Sequence, residues 1–61
     1  MTYWVIQIVR GNYYAMGYKT YSAAEKRFNL VQGGEVYLHK SFLTDARQAV
    51  DEFKSQQASG R

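Results

Sequence analysis

Residues 2–18 read TYWVIQIVRGNYYAMGY. Thr2–Val9 is dense in β-branched and aromatic residues, and Tyr13–Lys19 repeats that chemistry after Arg10-Gly11-Asn12. Two such runs around a glycine-containing turn predict an antiparallel β-hairpin. Gly11-Asn12 suits a two-residue turn of the II′ kind, whose first central residue needs a positive φ. In that register Ile8 pairs with Ala15 and Ile6 with Gly17.

Beyond the hairpin the period changes. Ser22-Ala23-Ala24-Glu25 has the form of a capping box, in which the Ser22 hydroxyl and the Glu25 carboxylate satisfy each other's amides. Tyr21, Ala24, Phe28 and Val31 then recur at helical spacing. Gly33 is placed to end that helix in a left-handed conformation, with Gly34 behind it. Glu35–Phe42 reads as a third strand. Thr44 is the expected cap of a second helix, with Asp45 in its first turn and Ala46, Ala49, Val50 and Phe53 as its buried stripe. The expected fold class is α+β, with the order β-β-α-β-α. The third strand should lie beside the first, giving strand order 2-1-3 with both helices packed on one face of the sheet. Residues 1–56 form one domain, and the polar residues 57–61 are expected to be a flexible tail.

Length limits what such a domain can do. The chain has 61 residues and a mass of 7.1 kDa. A domain of that size buries only ~60% of its unfolded surface, which leaves no room for a deep cleft between subdomains. Cysteine and proline are absent, which excludes disulfides, thiol chemistry and cis-proline turns. Without a disulfide or metal, a core this small gains from a partner, so a homodimer is one option. No apolar run approaches the ~20 residues of a membrane span, and no leader pattern precedes Trp4–Val9. The expected location is cytoplasmic, with no membrane association.

Charge is unevenly placed. The net charge is +3, with eight Lys/Arg against five Asp/Glu. All the acids lie at or after Glu25, whereas residues 1–24 combine Arg10 and Lys19 with Trp4 and several tyrosines. A basic, aromatic, acid-free half suits an anionic partner.

Alternation along the strands predicts two different sheet faces. Trp4, Ile6, Ile8, Ala15 and Gly17 share the expected core face with Val36, Leu38, Phe28, Val31, Val50 and Phe53. The other face then carries Tyr3, Val5, Gln7, Val9, Tyr14, Met16, Tyr18, Tyr37 and His39, with no helix to cover it. Tyrosine joins apolar area to a hydroxyl that stays wet, so such a face reads as a contact surface. The candidate partner-binding residues are Tyr3, Tyr14, Met16, Tyr18, Tyr37 and His39, with Arg10, Lys19 and Lys40 as a basic rim.

Catalytic chemistry finds no footing in the pattern. His39 is the one histidine and has no metal-ligand spacing around it, so no metal or cofactor is expected. Ser22, Ser41 and Ser55 lack a histidine in any nucleophile motif. Gln32-Gly33-Gly34-Glu35 follows a helix and lacks the Lys-Ser/Thr ending of a phosphate-binding loop. The expectation is a non-enzymatic protein.

The order β-β-α-β-α resembles the N-terminal hybrid-binding domain of ribonuclease H, which binds RNA/DNA duplexes. The likeness runs from Gly17 to Phe53. Gly17-Tyr18 and Thr20-Tyr21 are similar to that family's Gly-aromatic and Thr-Trp elements, and Lys40-Ser41-Phe42 with Thr44 is similar to its Lys-Lys-Phe-x-Ser/Thr segment. Tyr21 stands where the family has tryptophan, and the family's Gly-Arg-x-x-Gly turn is missing. The resemblance implies Tyr18, Tyr21 and Lys40 as contacts. In size and character the chain also resembles the small inhibitors that bacteriophages encode against host enzymes and defence systems, the anti-CRISPR proteins among them. That likeness implies a stoichiometric inhibitor acting in a bacterial host cytoplasm. On the residues alone a protein target in a nucleic-acid-handling or defence machine is favoured, and direct nucleic-acid binding is the alternative.

Overall fold

β1 (Thr2–Val9) and β2 (Asn12–Tyr18) form the hairpin in the computed structural model, which describes residues 1–59. After them come α1 (Tyr21–Leu30), β3 (Glu35–Ser41) and α2 (Ala46–Ser59). The sheet order is β2-β1-β3 with both pairings antiparallel, so the α+β class and the expected strand order hold.

The hairpin turn is Arg10-Gly11 instead of Gly11-Asn12. Arg10 has φ 53° and Gly11 φ 80°, the paired positive values of a I′ turn, which follows the right-handed twist of its strands. Pairing therefore slides by two residues: Ile8 faces Tyr13, Ile6 faces Ala15 and Trp4 faces Gly17. A slide of two leaves every side chain of β1 and β2 on its expected face. Gly17 now makes room for an indole, since a Cβ there would lie 2.9 Å from the Trp4 ring.

β3 is turned over relative to expectation. Trp4 faces His39 and Ile6 faces Tyr37, whereas Val5 faces Leu38 and Gln7 faces Val36. Tyr37 and His39 thus join the Trp4 face, and Val36 and Leu38 the Val5 face. The physical reason is that α2 supplies a carboxylate for His39 and an aromatic ring for both side chains there. Tyr37 OH donates to Glu35 Oε1 at 2.6 Å, and His39 Nε2 lies 2.7 Å from Glu52 Oε1. Their rings pack against Phe53 at 5.2 and 5.5 Å between centroids.

The two helices do not share a face. α2 lies over Trp4, Ile6 and Ile8, where Ala49 and Phe53 complete the core cluster. Trp4 Nε1 donates to the Leu43 carbonyl at 3.1 Å just before that helix, and Lys54 Nζ sits 4.5 Å from the Tyr13 ring centre. α1 lies over the opposite face. Its Tyr21 ring meets Tyr3 edge-on at 6.0 Å, and Arg27 Nε donates to Tyr18 OH at 3.0 Å. The segment after α1 stays on this side, where Gln7 Nε2 donates to the Gln32 and Gly33 carbonyls. β1 is therefore covered on both faces, and Val5 and Ile6 are both fully buried. Burial on both sides explains why TYWVIQIV is nearly continuous in apolar residues.

Local caps differ from the expected ones by one or two residues. Thr20, extended at φ −123° and ψ 150°, caps α1 by accepting from the Ala23 amide at 3.2 Å, two residues before Ser22. α1 ends at an extended Val31, and Gly33 and Gly34, at φ 95° and 67°, shape the loop after it. Asp45 caps α2, its Oδ1 accepting from the Gln48 amide at 3.1 Å. α2 continues through Ser59, so 57–59 of the expected tail are helical. Residues 60–61 lie outside the described residues.

Candidate functional site

Tyr3 is the centre of a cluster that the chain assembles from four elements. On one side of it in the sheet stands Tyr18 of β2, and on the other Lys40 of β3. Directly opposed residues have Cβ atoms ~4.5–5.5 Å apart, so this row is continuous. Tyr21 closes it from the first turn of α1, with its ring at 74° to that of Tyr3. Arg27, from the last turn of the same helix, fixes the Tyr18 hydroxyl. Exposed Lys19 links Tyr18 to the Thr20 cap. Tyr21 is half exposed at 51%, while Tyr3 and Tyr18 are partly buried.

Cations outnumber acids at this end, where Glu25 of α1 is the carboxylate one turn after Tyr21. Among the described residues the one ion pair joins His39 to Glu52, so no lysine or arginine there is neutralised by a carboxylate. Lys19, Arg27 and Lys40 keep their charge available beside three tyrosines.

Other residues singled out in the sequence are placed elsewhere. Tyr14 and Met16 share the Tyr18 side of β2, and Tyr14 is 52% exposed. Tyr37 and His39 lie on the α2 side, away from Tyr3. Arg10 sits in the hairpin turn, at the far end of β1 from Tyr3. The basic rim is therefore not continuous, and the tyrosine face is not bare, because α1 covers it. Arg27 was not readable as a member of this cluster. Its one signal is its place on α1, six residues and about 1.7 turns after Tyr21.

His39, Ser41 and Glu52 form a second polar group where β3 meets α2. His39 and Ser41 are buried, at 7% and 4% exposure. Hydrogen bonds from the Ser41 hydroxyl and then from His39 hold the Glu52 carboxyl below its ordinary value, against a weaker opposing effect of desolvation. An ionised carboxylate only accepts, so His39 Nε2 is the donor. Ser41 Oγ also accepts from the Leu43 amide at 2.9 Å. Among the described residues no hydrogen bond joins the Ser41 hydroxyl to the imidazole, the contact that nucleophile and base make in acyl transfer. The group joins strand to helix. On the neighbouring flank, Tyr13, Ala15, Arg47, Val50, Asp51 and Lys54 line an open groove of about 500 Å³. Among the described residues no three His, Asp or Glu side chains come together as a metal site, and no helix is long and apolar enough to cross a membrane.

No protein-family model matches the chain, and neither a curated protein nor a solved structure is significantly similar to it.

Proposed function

We propose that this chain is a small non-catalytic binding protein that holds a nucleic acid by occupancy. Its contact surface is the Tyr3, Tyr18 and Tyr21 cluster with Lys19, Arg27 and Lys40. The observation that carries the reading is convergence on Tyr3. Tyr18 and Lys40 flank it in the sheet and Tyr21 packs on its ring. These are the three contacts implied by the resemblance to the hybrid-binding domain. Cations supply affinity for phosphates, and the half-exposed Tyr21 ring supplies apolar area against sugar or base. In the sequence a protein target and a nucleic acid both rest on an uncovered tyrosine face, which α1 covers; the cations gathered around Tyr3 favour the nucleic acid. An inhibitor of the phage type therefore stands as an outcome of the test.

The test is fluorescence anisotropy with an RNA/DNA hybrid, a DNA duplex and single-stranded RNA. Neutralising three phosphates gives a slope near −2.7, so affinity should fall about forty-fold between roughly 50 and 200 mM salt. Lys19→Glu with Lys40→Glu should abolish binding, and Tyr21→Ala should cost about 1–3 kcal/mol. Arg47→Glu, on α2 and the other side of the sheet, should leave binding nearly intact. Absence of binding to all the oligonucleotides at low salt would overturn the reading and return the protein target to first place.

A further inference from the structure

We propose that β2 is a pairing edge for a second copy of this chain, joined antiparallel about a two-fold axis at Ala15. The argument starts from the turn. Val9 and Asn12 close a two-residue loop, so they form a hydrogen-bonded pair, and bonded and non-bonded pairs alternate from there. Asn12, Tyr14, Met16 and Tyr18 spend their backbone groups on β1. The amides and carbonyls of Tyr13, Ala15 and Gly17 point away from the sheet.

That outward set is self-complementary. With Ala15 opposite Ala15 of the second copy, Tyr13 falls opposite Gly17 and every outward amide and carbonyl gains a partner. The same register sets Tyr14 against Met16 across the junction, twice, on the α1 side of the sheet. Aromatic–thioether contacts are favourable, and Tyr14 is otherwise left 52% exposed. On the other side the large Tyr13 ring lies opposite a glycine, so the two copies do not collide.

Sequence separates this edge from the other one. Edge strands are commonly guarded by charges, proline or bulges. β2, NYYAMGY, has no charge and no proline, and its register to β1 runs without a bulge. β3, EVYLHKS, carries Glu35, His39 and Lys40. The proposed register brings Arg10 of each copy near Lys19 of the other, at both ends of the junction. The dimer should therefore tighten as salt screens that repulsion, the opposite of nucleic-acid binding. This inference does not depend on the proposed function.

The experiment is sedimentation equilibrium of the full chain without nucleic acid, up to about 1 mM protein, a range that reveals even weak association. Salt is varied from low to high. A dimer that grows with concentration and with salt is expected. N-methylation of the Ala15 amide, by chemical synthesis, removes only an outward donor and should raise the dimer Kd about ten-fold or more. N-methylation at Leu38, whose amide points outward from β3, should leave it unchanged. Should the methylated Ala15 chain fail to fold, Tyr14→Lys decides, since Tyr14 is exposed and should cost the monomer little. A monomer at the highest concentration and salt overturns the proposal. So does a dimer that survives Tyr14→Lys, or one broken by methylation at Leu38 instead.

Discussion

Replacing Gly34 by alanine should come close to unfolding this protein. Gly34 has φ 67°, and a left-handed conformation costs a residue with a Cβ about 1–2 kcal/mol. The larger effect is steric. A Cβ at Gly34 would collide with the Ile8 carbonyl oxygen and reach 3.0 Å from Val9 Cγ2. The obstacle is the backbone of the central strand, which cannot rotate aside. Relief requires moving the start of β3, where Glu35 pairs with Ile8. Forced shifts of this kind cost ~1–3 kcal/mol, and a lost ladder bond adds about 1. The total is about 3–6 kcal/mol, against roughly 3–9 for the whole stability of a chain this long. Gly11 and Gly33 provide the comparison. They have φ 80° and 95°, with nothing closer than the Gln7 amide at 3.9 Å from a Cβ at Gly33 and open space at Gly11. Alanine at either should cost only about 1–2 kcal/mol. Asparagine, which tolerates the left-handed region, should recover most of the loss at Gly11 and none at Gly34. Urea unfolding read by the fluorescence of Trp4, the one tryptophan, measures all of these. If Gly34→Ala costs no more than Gly11→Ala, the close approach of the loop to β1 is wrong.

Three further outcomes follow from the packing. The Glu52 carboxyl is held below its ordinary value of 4.5 in the fold, so its contribution is present above that pH and is lost as pH falls through the lower folded value. Glu52→Gln should therefore flatten the acid limb of a urea-midpoint profile, and an unchanged acid limb would exclude the Ser41 and His39 bonds as its cause. Phe53→Ala should cost about 3–5 kcal/mol by cavity formation, whereas Tyr14→Ala should stay within roughly 0.5 kcal/mol in dilute solution. Gly17→Val should displace the Trp4 ring and cost about 1–3 kcal/mol by overpacking, seen as a shifted emission maximum together with lower stability.

The hairpin, both helices and the strand order are legible in the sequence because period and punctuation agree there. Arg10-Gly11-Asn12 marks a turn whichever pair closes it, and a two-residue error leaves the faces of β1 and β2 intact. β3 is different. In VYLHK the apolar residues Val36 and Leu38 alternate with Tyr37 and His39, and hydropathy assigns the first pair to the core. The choice is made instead by groups supplied from α2, the Glu52 carboxylate for His39 and the Phe53 ring for both. Glu52 lies next to Phe53 and three residues after Ala49, so its place on the inner side of α2 was readable, but its pairing with His39 was not. The same indifference of tyrosine to wet and dry surroundings hid the position of α1. Tyr3 and Tyr18 fit a solvent face and a helix contact equally well, and Arg27 shows the second only through a bond to Tyr18 across sequence. Two of the expected rim cations, Lys19 and Lys40, and two of the expected tyrosines, Tyr3 and Tyr18, do meet at one end of the sheet.

The middle position of β1 governs the order in which this molecule can assemble. Its partner on one side, β2, follows after a two-residue turn, and so the hairpin can close within microseconds. Its partner on the other side arrives about thirty residues later, as in Ile6 opposite Tyr37. The covers of its two faces, α1 and α2, bracket that partner in the chain. Until β3 docks, Trp4, Val5 and Ile6 are apolar residues on a strand with one open edge, and the loop that must close sets the barrier. Substitutions at the β1–β2 junction should thus alter the folding rate, whereas those at Phe53 or Ala49 should chiefly speed unfolding.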